Sequence, residues 1–243
     1  MRSIFKRELQ SYFYSPFAYV ICAVFLLVFT MSFVPQIANL DDTNTFNFSY
    51  ASTVYINFSF FVFLLPALTM RTFAEERKAQ TEVLLLTNPL NSFQIVMGKF
   101  LGVAVVYLAM VALSLVFPLV ILSTGTIFWS SLICCYIGFV AWGLVCISIC
   151  MLMSALTNTP VIAAVLGEIV MIFIIFMDTI ASSLKYSFMP VVSDILLWFS
   201  PEKRFEMFSQ GVFSLSDMIF YITMLVVFLA WNVIALECRK WKA

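Results

Sequence analysis

The densest run of charge in this chain is Met70-Arg71-Thr72-Phe73-Ala74-Glu75-Glu76-Arg77-Lys78-Ala79-Gln80-Thr81-Glu82. It lies between two apolar runs and continues into Val83-Leu84-Leu85-Leu86-Thr87-Asn88-Pro89-Leu90. Acids and bases mixed at this spacing make charge-assisted hydrogen bonds, to one another or to a partner, rather than covalent chemistry. The modest reading is a water-facing helix steadied by its own pairs, such as Glu75 with Lys78, each contributing ~0.2–0.5 kcal/mol. That reading leaves Leu84-Leu85-Leu86 unexplained, because an apolar tail on a solvated helix calls for a surface to cover it. Partner docking through Phe73, Glu75, Glu76, Arg77, Lys78, Thr81, Glu82 and Leu85 accounts for both halves of the segment.

A second chemical candidate is Glu168, the one charge deep inside an apolar run. Eight residues of helix separate it from Pro160, which places it roughly 12 Å in from the run's start. An ionised carboxylate at membrane depth costs at least about 2.5–3.5 kcal/mol, so Glu168 should face other helices and be neutral or paired. Two roles stand side by side: a polar point on a substrate path or gate, and an interhelical hydrogen bond to Asn57 or Asn232, also within apolar runs. Asp178 lies ~15 Å further along and on another helix face, too far to form a paired-carboxylate catalytic site with Glu168.

The chain contains no histidine. That removes Ser–His nucleophile activation, histidine acid–base catalysis and His-ligated zinc together. Of the six cysteines, Cys22, Cys134, Cys135, Cys146 and Cys150 fall in apolar runs and Cys238 in the C-terminal tail. No structural disulfide is expected. Cys146 and Cys150, at i, i+4, are read as small packing residues rather than metal ligands. No catalytic, cofactor or metal site is assigned to this chain.

The elements that must position these groups are membrane spans. The 243 residues are 63% hydrophobic and 11% charged, with a mean hydropathy of +1.04; soluble domains are about a quarter charged. The net charge is zero, which gives no nucleic-acid footprint. Residues 1–15 pattern as an amphipathic helix lying in the membrane interface, with Ile4, Phe5, Leu9, Tyr12 and Phe13 on one side and Lys6, Arg7, Gln10 and Ser11 on the other. Apolar runs at about 17–37, 53–70, 100–123, 131–153, 161–180 and 215–236 each approach the ~20 residues that cross a bilayer. Ser15-Pro16, Thr159-Pro160 and Ser200-Pro201 are cap-plus-proline helix starts. Asn91-x-x-Gln94 and Ser214-x-x-Asp217 have capping-box spacing. Pro66 and Pro118 predict kinks. Residues 181–213 predict two short helices in or on the outer leaflet, one over Met189–Trp198 and one beginning at Pro201.

Lys and Arg placement sets the orientation. With six spans, one side holds Arg2, Lys6, Arg7, Arg71, Arg77, Lys78, Lys99, Arg239, Lys240 and Lys242, and the other only Lys185, Lys203 and Arg204. Both termini and the loop 71–99 therefore belong to the cytoplasm. The chain is a single membrane domain over 1–243.

The segments Phe73–Lys78, Thr81–Leu90 and Gln94-Ile95-Val96-Met97-Gly98-Lys99 resemble the cytoplasmic loop of ABC-2-type transporter permeases. The nearest branch is the one that includes gliding-motility permeases of Bacteroidetes. Val83 departs from the leucine or second small apolar residue that many members carry after the acidic position. The resemblance implies an all-α fold with an N-terminal elbow helix (1–15), six spans, a coupling helix in the loop 71–99, and short outer helices (181–213). It also implies two permease subunits, identical or closely related, resting on two copies of a cytoplasmic ABC ATPase that holds ATP and magnesium, with an accessory extracytoplasmic protein as a further partner. The expected place is the bacterial inner membrane and the expected work is outward transport. This chain has no GxxxxGK[ST] phosphate loop, consistent with that division. Two other classes remain open from residues alone: a proton-coupled secondary transporter using Glu168, and an intramembrane enzyme.

Overall fold

The computed structural model describes residues 2–38, 50–81, 91–122, 129–186 and 190–240, and every element among them is a helix. They are α1 (Arg2–Tyr14), α2 (Pro16–Ala38), α3 (Tyr50–Thr69), α4 (Arg71–Lys78), α5 (Ser92–Ser114), α6 (Val116–Leu122), α7 (Trp129–Leu156), α8 (Pro160–Ile175), α9 (Met177–Tyr186), α10 (Pro190–Phe199), α11 (Pro201–Ser209) and α12 (Leu215–Lys240).

Among the described residues, four helical segments are long and apolar enough to cross a membrane: Pro16–Val34, Ser92–Val120, Trp129–Leu156 and Leu215–Lys240. The pair α8 and α9 makes a fifth if its 48° bend is counted as one broken span. The 20-residue α3, where the second run was read, packs against α2, α7 and α8.

The expected span over 161–180 is not continuous. Helix α8 ends at Ile175 and α9 sets off at an angle from Met177. Among the described residues, three short helices, α9, α10 and α11, therefore precede α12 where two were expected over 181–213. The span carrying Lys99 is also interrupted, at Leu115 between α5 and α6. Pro118 explains that break, since it has no N–H for the Ser114 carbonyl. Pro66, by contrast, sits within a continuous α3.

Helix α7 is the axis of the molecule. It packs against α3, α4, α5, α8, α11 and α12. Its residues Phe139, Trp142, Cys146, Cys150 and Met151 are buried. Tyr107 of α5 donates its hydroxyl to the Phe139 carbonyl at 2.7 Å. Gly143 makes room for that ring, because a Cβ there would lie 2.2 Å from the phenol oxygen. Helix α2 presents Ile21, Phe25, Phe29 and Phe33, four residues apart, to the core, while Tyr19, Leu27 and Met31 are exposed. The outer surface of the bundle is apolar, as a bilayer requires.

Local starts follow the sequence unevenly. Ser15 accepts from the Phe17 amide at 3.3 Å, and Ser200 and Ser214 accept from the Lys203 and Asp217 amides at 3.4 Å each. Asn91 occupies the cap position of α5 but makes no side-chain cap bond. Asn88-Pro89 lies outside the described residues.

Candidate functional site

Helix α4 is short, charged and lies across one end of the bundle, held from three directions. The first tie is a buried cation. Lys99 of α5 has a fully buried side chain, and its Nζ donates to Glu8 Oε1 of α1 at 2.8 Å. It lies 3.0 Å from Glu76 Oε2 of α4, and it also donates to the Thr72 carbonyl. The ammonium sits 5.2 Å from the centre of the Phe73 ring. Arg7 closes the group by donating to Glu76. Two carboxylates and two cations thus balance, and the most buried charge is the most fully coordinated one. Breaking such a group costs far more than forming it gains.

The second tie is Ser154, near the end of α7. Its hydroxyl accepts from the Phe73 and Ala74 amides at 3.2 Å each and donates to the Met70 carbonyl at 3.1 Å. The first turn of α4 has no cap of its own, so α7 supplies one in trans for donors that would otherwise be orphaned. Arg77 then reaches the Thr157 and Ser154 carbonyls at the end of α7, where a cation meets the negative end of the helix dipole. From the other side, Arg239 of α12 donates to the Leu156 carbonyl at 2.8 Å.

The third tie joins the two helix junctions. Tyr12 donates to the Leu68 carbonyl at 3.0 Å. Arg71 donates to Ser15 at 3.2 Å and lies 4.2 Å from the centre of the Phe17 ring. Burial holds the Tyr12 phenol well above its ordinary value, with the Glu8 and Glu75 charges adding to the rise and Arg71 opposing it. Tyr12 therefore stays a neutral donor. Close packing of α1 on α5 depends on Gly102, where a Cβ would sit 2.9 Å from the Glu8 Cβ.

This geometry divides the residues singled out in the sequence. Phe73 is buried, Glu76 is bound to Lys99 and Arg7, and Arg77 is bound to α7. Glu75, Lys78 and Thr81 are exposed on the opposite face. Glu82 and Leu85 lie outside the described residues. Glu75 has an ion-pair contact with Arg71 at 4.0 Å; the expected Glu75–Lys78 pair is not among the ion pairs formed.

Sequence reading missed Glu8, Lys99 and Ser154 as parts of this site. A signal for Glu8 was available. Ile4, Glu8 and Tyr12 follow at four-residue spacing, so the carboxylate stands in the middle of the buried stripe of α1 and requires a buried cation. Ser154 carried no such signal.

Glu168, Asn57 and Asn232 are not brought together. Asn57 donates to Ser32 of α2. Asn232 donates to the Ser148 carbonyl of α7 at 2.9 Å and to Phe228 of its own helix at 2.8 Å. Glu168 is half-buried on α8, and its Oε2 is buried without a hydrogen-bond partner. Its neighbour Gly167 faces Pro66 of α3, where a Cβ would lie 3.0 Å from the proline Cβ. Cys146 and Cys150 pack in the core with free thiols.

Among the described residues, helices alone, four to five of them long and apolar enough to span, with a charged helix held against one end, define a multi-pass membrane protein. The family model for ABC-2 family transporter proteins matches residues 2–238, and the chain belongs to that family. The match is to the family as a whole, not to one branch of it. No curated protein matches the chain. Membership makes it a membrane subunit of an ABC transporter, a permease rather than an enzyme, working with an ABC ATPase.

Proposed function

We propose that this chain is the six-span permease subunit of an ATP-driven exporter in a bacterial cytoplasmic membrane. The spans are α2, α3, α5 with α6, α7, α8 with α9, and α12, with both termini in the cytoplasm. Two permease chains, identical or closely related, rest on two copies of an ABC ATPase that binds ATP and magnesium. Helix α1 is the elbow and α4 the coupling helix.

The observation that carries this reading is the arrangement of α4. Its inner face is joined to α1 and α5 through Lys99 and to α7 through Ser154, while Glu75, Lys78 and Thr81 face outward. A push on the outward face therefore reaches three helices as one body. In this scheme Glu75, Lys78 and Thr81 touch the ATPase, joined by Glu82 and Leu85 from the following segment. Phe73, Glu76 and Arg77 anchor the helix from beneath. Glu168, whose buried oxygen lacks a partner, lines the path between spans, with Asn57 and Asn232 holding neighbouring helices in place.

Co-purification tests the scheme. The ATPase encoded beside this chain should be recovered with it in a two-to-two complex, and Glu75→Lys with Lys78→Glu should reduce that recovery at least tenfold, since misplaced like charges at an interface cost several kcal/mol. Charge changes at Lys185 should leave recovery intact. Transport sustained with no ATPase present would instead favour the proton-coupled reading centred on Glu168.

A further inference from the structure

At the far end of the bundle from Lys99, α10, α11 and the start of α12 enclose a half-open pocket of about 510 Å³. Asp217 and Arg239 mark the two ends of α12, separated by ~33 Å of helix, so pocket and coupling site sit at opposite membrane faces. The pocket is lined by Asp194, Trp198, Lys203, Arg204, Met207 and Asp217 among others, and its volume suits a small-molecule ligand.

Its charges fall into two sets. Arg204 and Asp217 are spent on each other at 2.7 Å. The guanidinium also donates to the Trp198 carbonyl at 2.9 Å and lies 4.1 Å from the centre of the Phe220 ring, yet its buried Nε has no hydrogen-bond partner. Lys203 and Asp194 are exposed, and neither is in an ion pair among the described residues. The lining thus offers the uncommitted Lys203 ammonium beside the Arg204 guanidinium, and the uncommitted Asp194 carboxylate four residues from the exposed Trp198 indole, whose ring centre lies 5.6 Å from that guanidinium. The first pair suits a phosphate diester; the second suits an organic ammonium, which both charge and the indole face attract.

The neighbouring surface is apolar. A second cavity of about 580 Å³ lies among α5, α7 and α12, walled by Leu132, Tyr136, Met218, Tyr221, Ile222 and Leu225 among others. Both cavities meet the first two turns of α12, Asp217 lining one and Met218 and Tyr221 the other. Tyr221 marks the boundary, since its ring walls the apolar cavity while its hydroxyl donates to the Pro201 carbonyl of α11 at 2.9 Å.

We propose that this pair of cavities is a binding site for a zwitterionic phospholipid of the aminophosphate type, its phosphate toward Lys203 and Arg204, its ammonium toward Asp194 and Trp198, and an acyl chain along α12. A phosphatidylethanolamine carries both charges on the short headgroup that such a pocket holds. Placement at the bundle end puts the site at headgroup depth in either membrane orientation.

Native mass spectrometry of the full chain, released from vesicles of equal phosphatidylethanolamine and phosphatidylglycerol, tests this. The wild-type protein should retain the ethanolamine lipid at least fivefold over the glycerol lipid. Asp194→Asn, at an exposed position that leaves the Arg204–Asp217 pair intact, should abolish that preference. Lys203→Gln should lower retention of both lipids, since both carry the phosphate it faces. Asp194→Lys should reverse the preference toward the anionic lipid. Equal retention of the two lipids by the wild type, an Asp194→Asn chain that keeps its preference, or a Lys203→Gln chain that retains both lipids as the wild type does, would overturn the proposal. So would displacement of the bound lipid by free phosphoethanolamine at equal concentration, which would make a soluble zwitterion the ligand.

Discussion

Both ends of this bundle are fastened by a cation bound to carboxylate, but the two fastenings differ in reach and completeness. At one end Lys99 of α5 is fully enclosed and bridges Glu8 of α1 and both Glu76 and the Thr72 carbonyl of α4, so that three helices meet on it. At the other, Arg204 takes one carboxylate thirteen residues further along the chain, keeps one buried N–H unmatched, and borders an open pocket. The first fastening makes distant elements move together. The second closes a local corner and leaves room beside it. A transporter that is driven from one face and meets lipid or cargo at the other has use for that asymmetry.

Lys99→Met would leave Glu8 and Glu76 with the exposed Arg7 as their one remaining cation and empty the buried position between them, and stability should fall by about 3–5 kcal/mol. Thermal unfolding in detergent checks this, and the triple change Glu8→Gln, Lys99→Met, Glu76→Gln should recover most of the loss. If the single change is as stable as the triple, the cluster is not the clamp described here.

Arg204→Ala should cost less, about 1–3 kcal/mol, because it strands one carboxylate rather than two and removes a cation that, unlike Lys99, keeps some access to water. Arg204→Lys should recover only part of this, since an ammonium keeps the charge but not the fork that also reaches Trp198. Denaturant titration of both variants against Lys99→Met ranks the two ends directly, and equal losses would erase the contrast.

Ser154→Ala should lower stability by about 0.5–2 kcal/mol, the usual worth of a helix cap. Its effect should be local: amide exchange at Phe73 and Ala74 should quicken while exchange in α12 stays unchanged. Glu75→Lys with Lys78→Glu should have the smallest effect on folding, within about 0.5 kcal/mol, as surface changes do. The same double change should have the largest effect on ATPase capture. A variant that unfolds the chain would place those side chains in the clamp rather than on its outer face.

Much of this was legible in the chain itself. The span boundaries near Pro16, Pro160 and Ser214 follow from proline and serine chemistry that acts within a few residues, and α2, α7 and α12 lie where hydropathy puts them. The bend at Phe176 was not legible, because a run that is apolar on all sides carries no mark of where its axis turns. The capping box at Asn91 matched in spacing but not in bonding, since spacing sets reach and not rotamer. Glu168 was recognisable as an isolated intramembrane carboxyl, but its supposed partners Asn57 and Asn232 bond elsewhere, to α2 and α7. Which helix faces which is not written in the periodicity of either.

The chain's own residues are enough to make it a multi-pass helical membrane protein, because apolar runs of about 20 residues fit helical spans and lack the alternation that barrel strands need. They also determine that a charged helix stands outside the spans, because its acids and bases cannot be buried without partners. Only the tertiary structure decided which of those charges turn inward. Glu76 and Glu75 are adjacent and chemically identical, yet one is bound to Lys99 and the other faces out, because the 100° between consecutive helix positions points one at α5 and the other away.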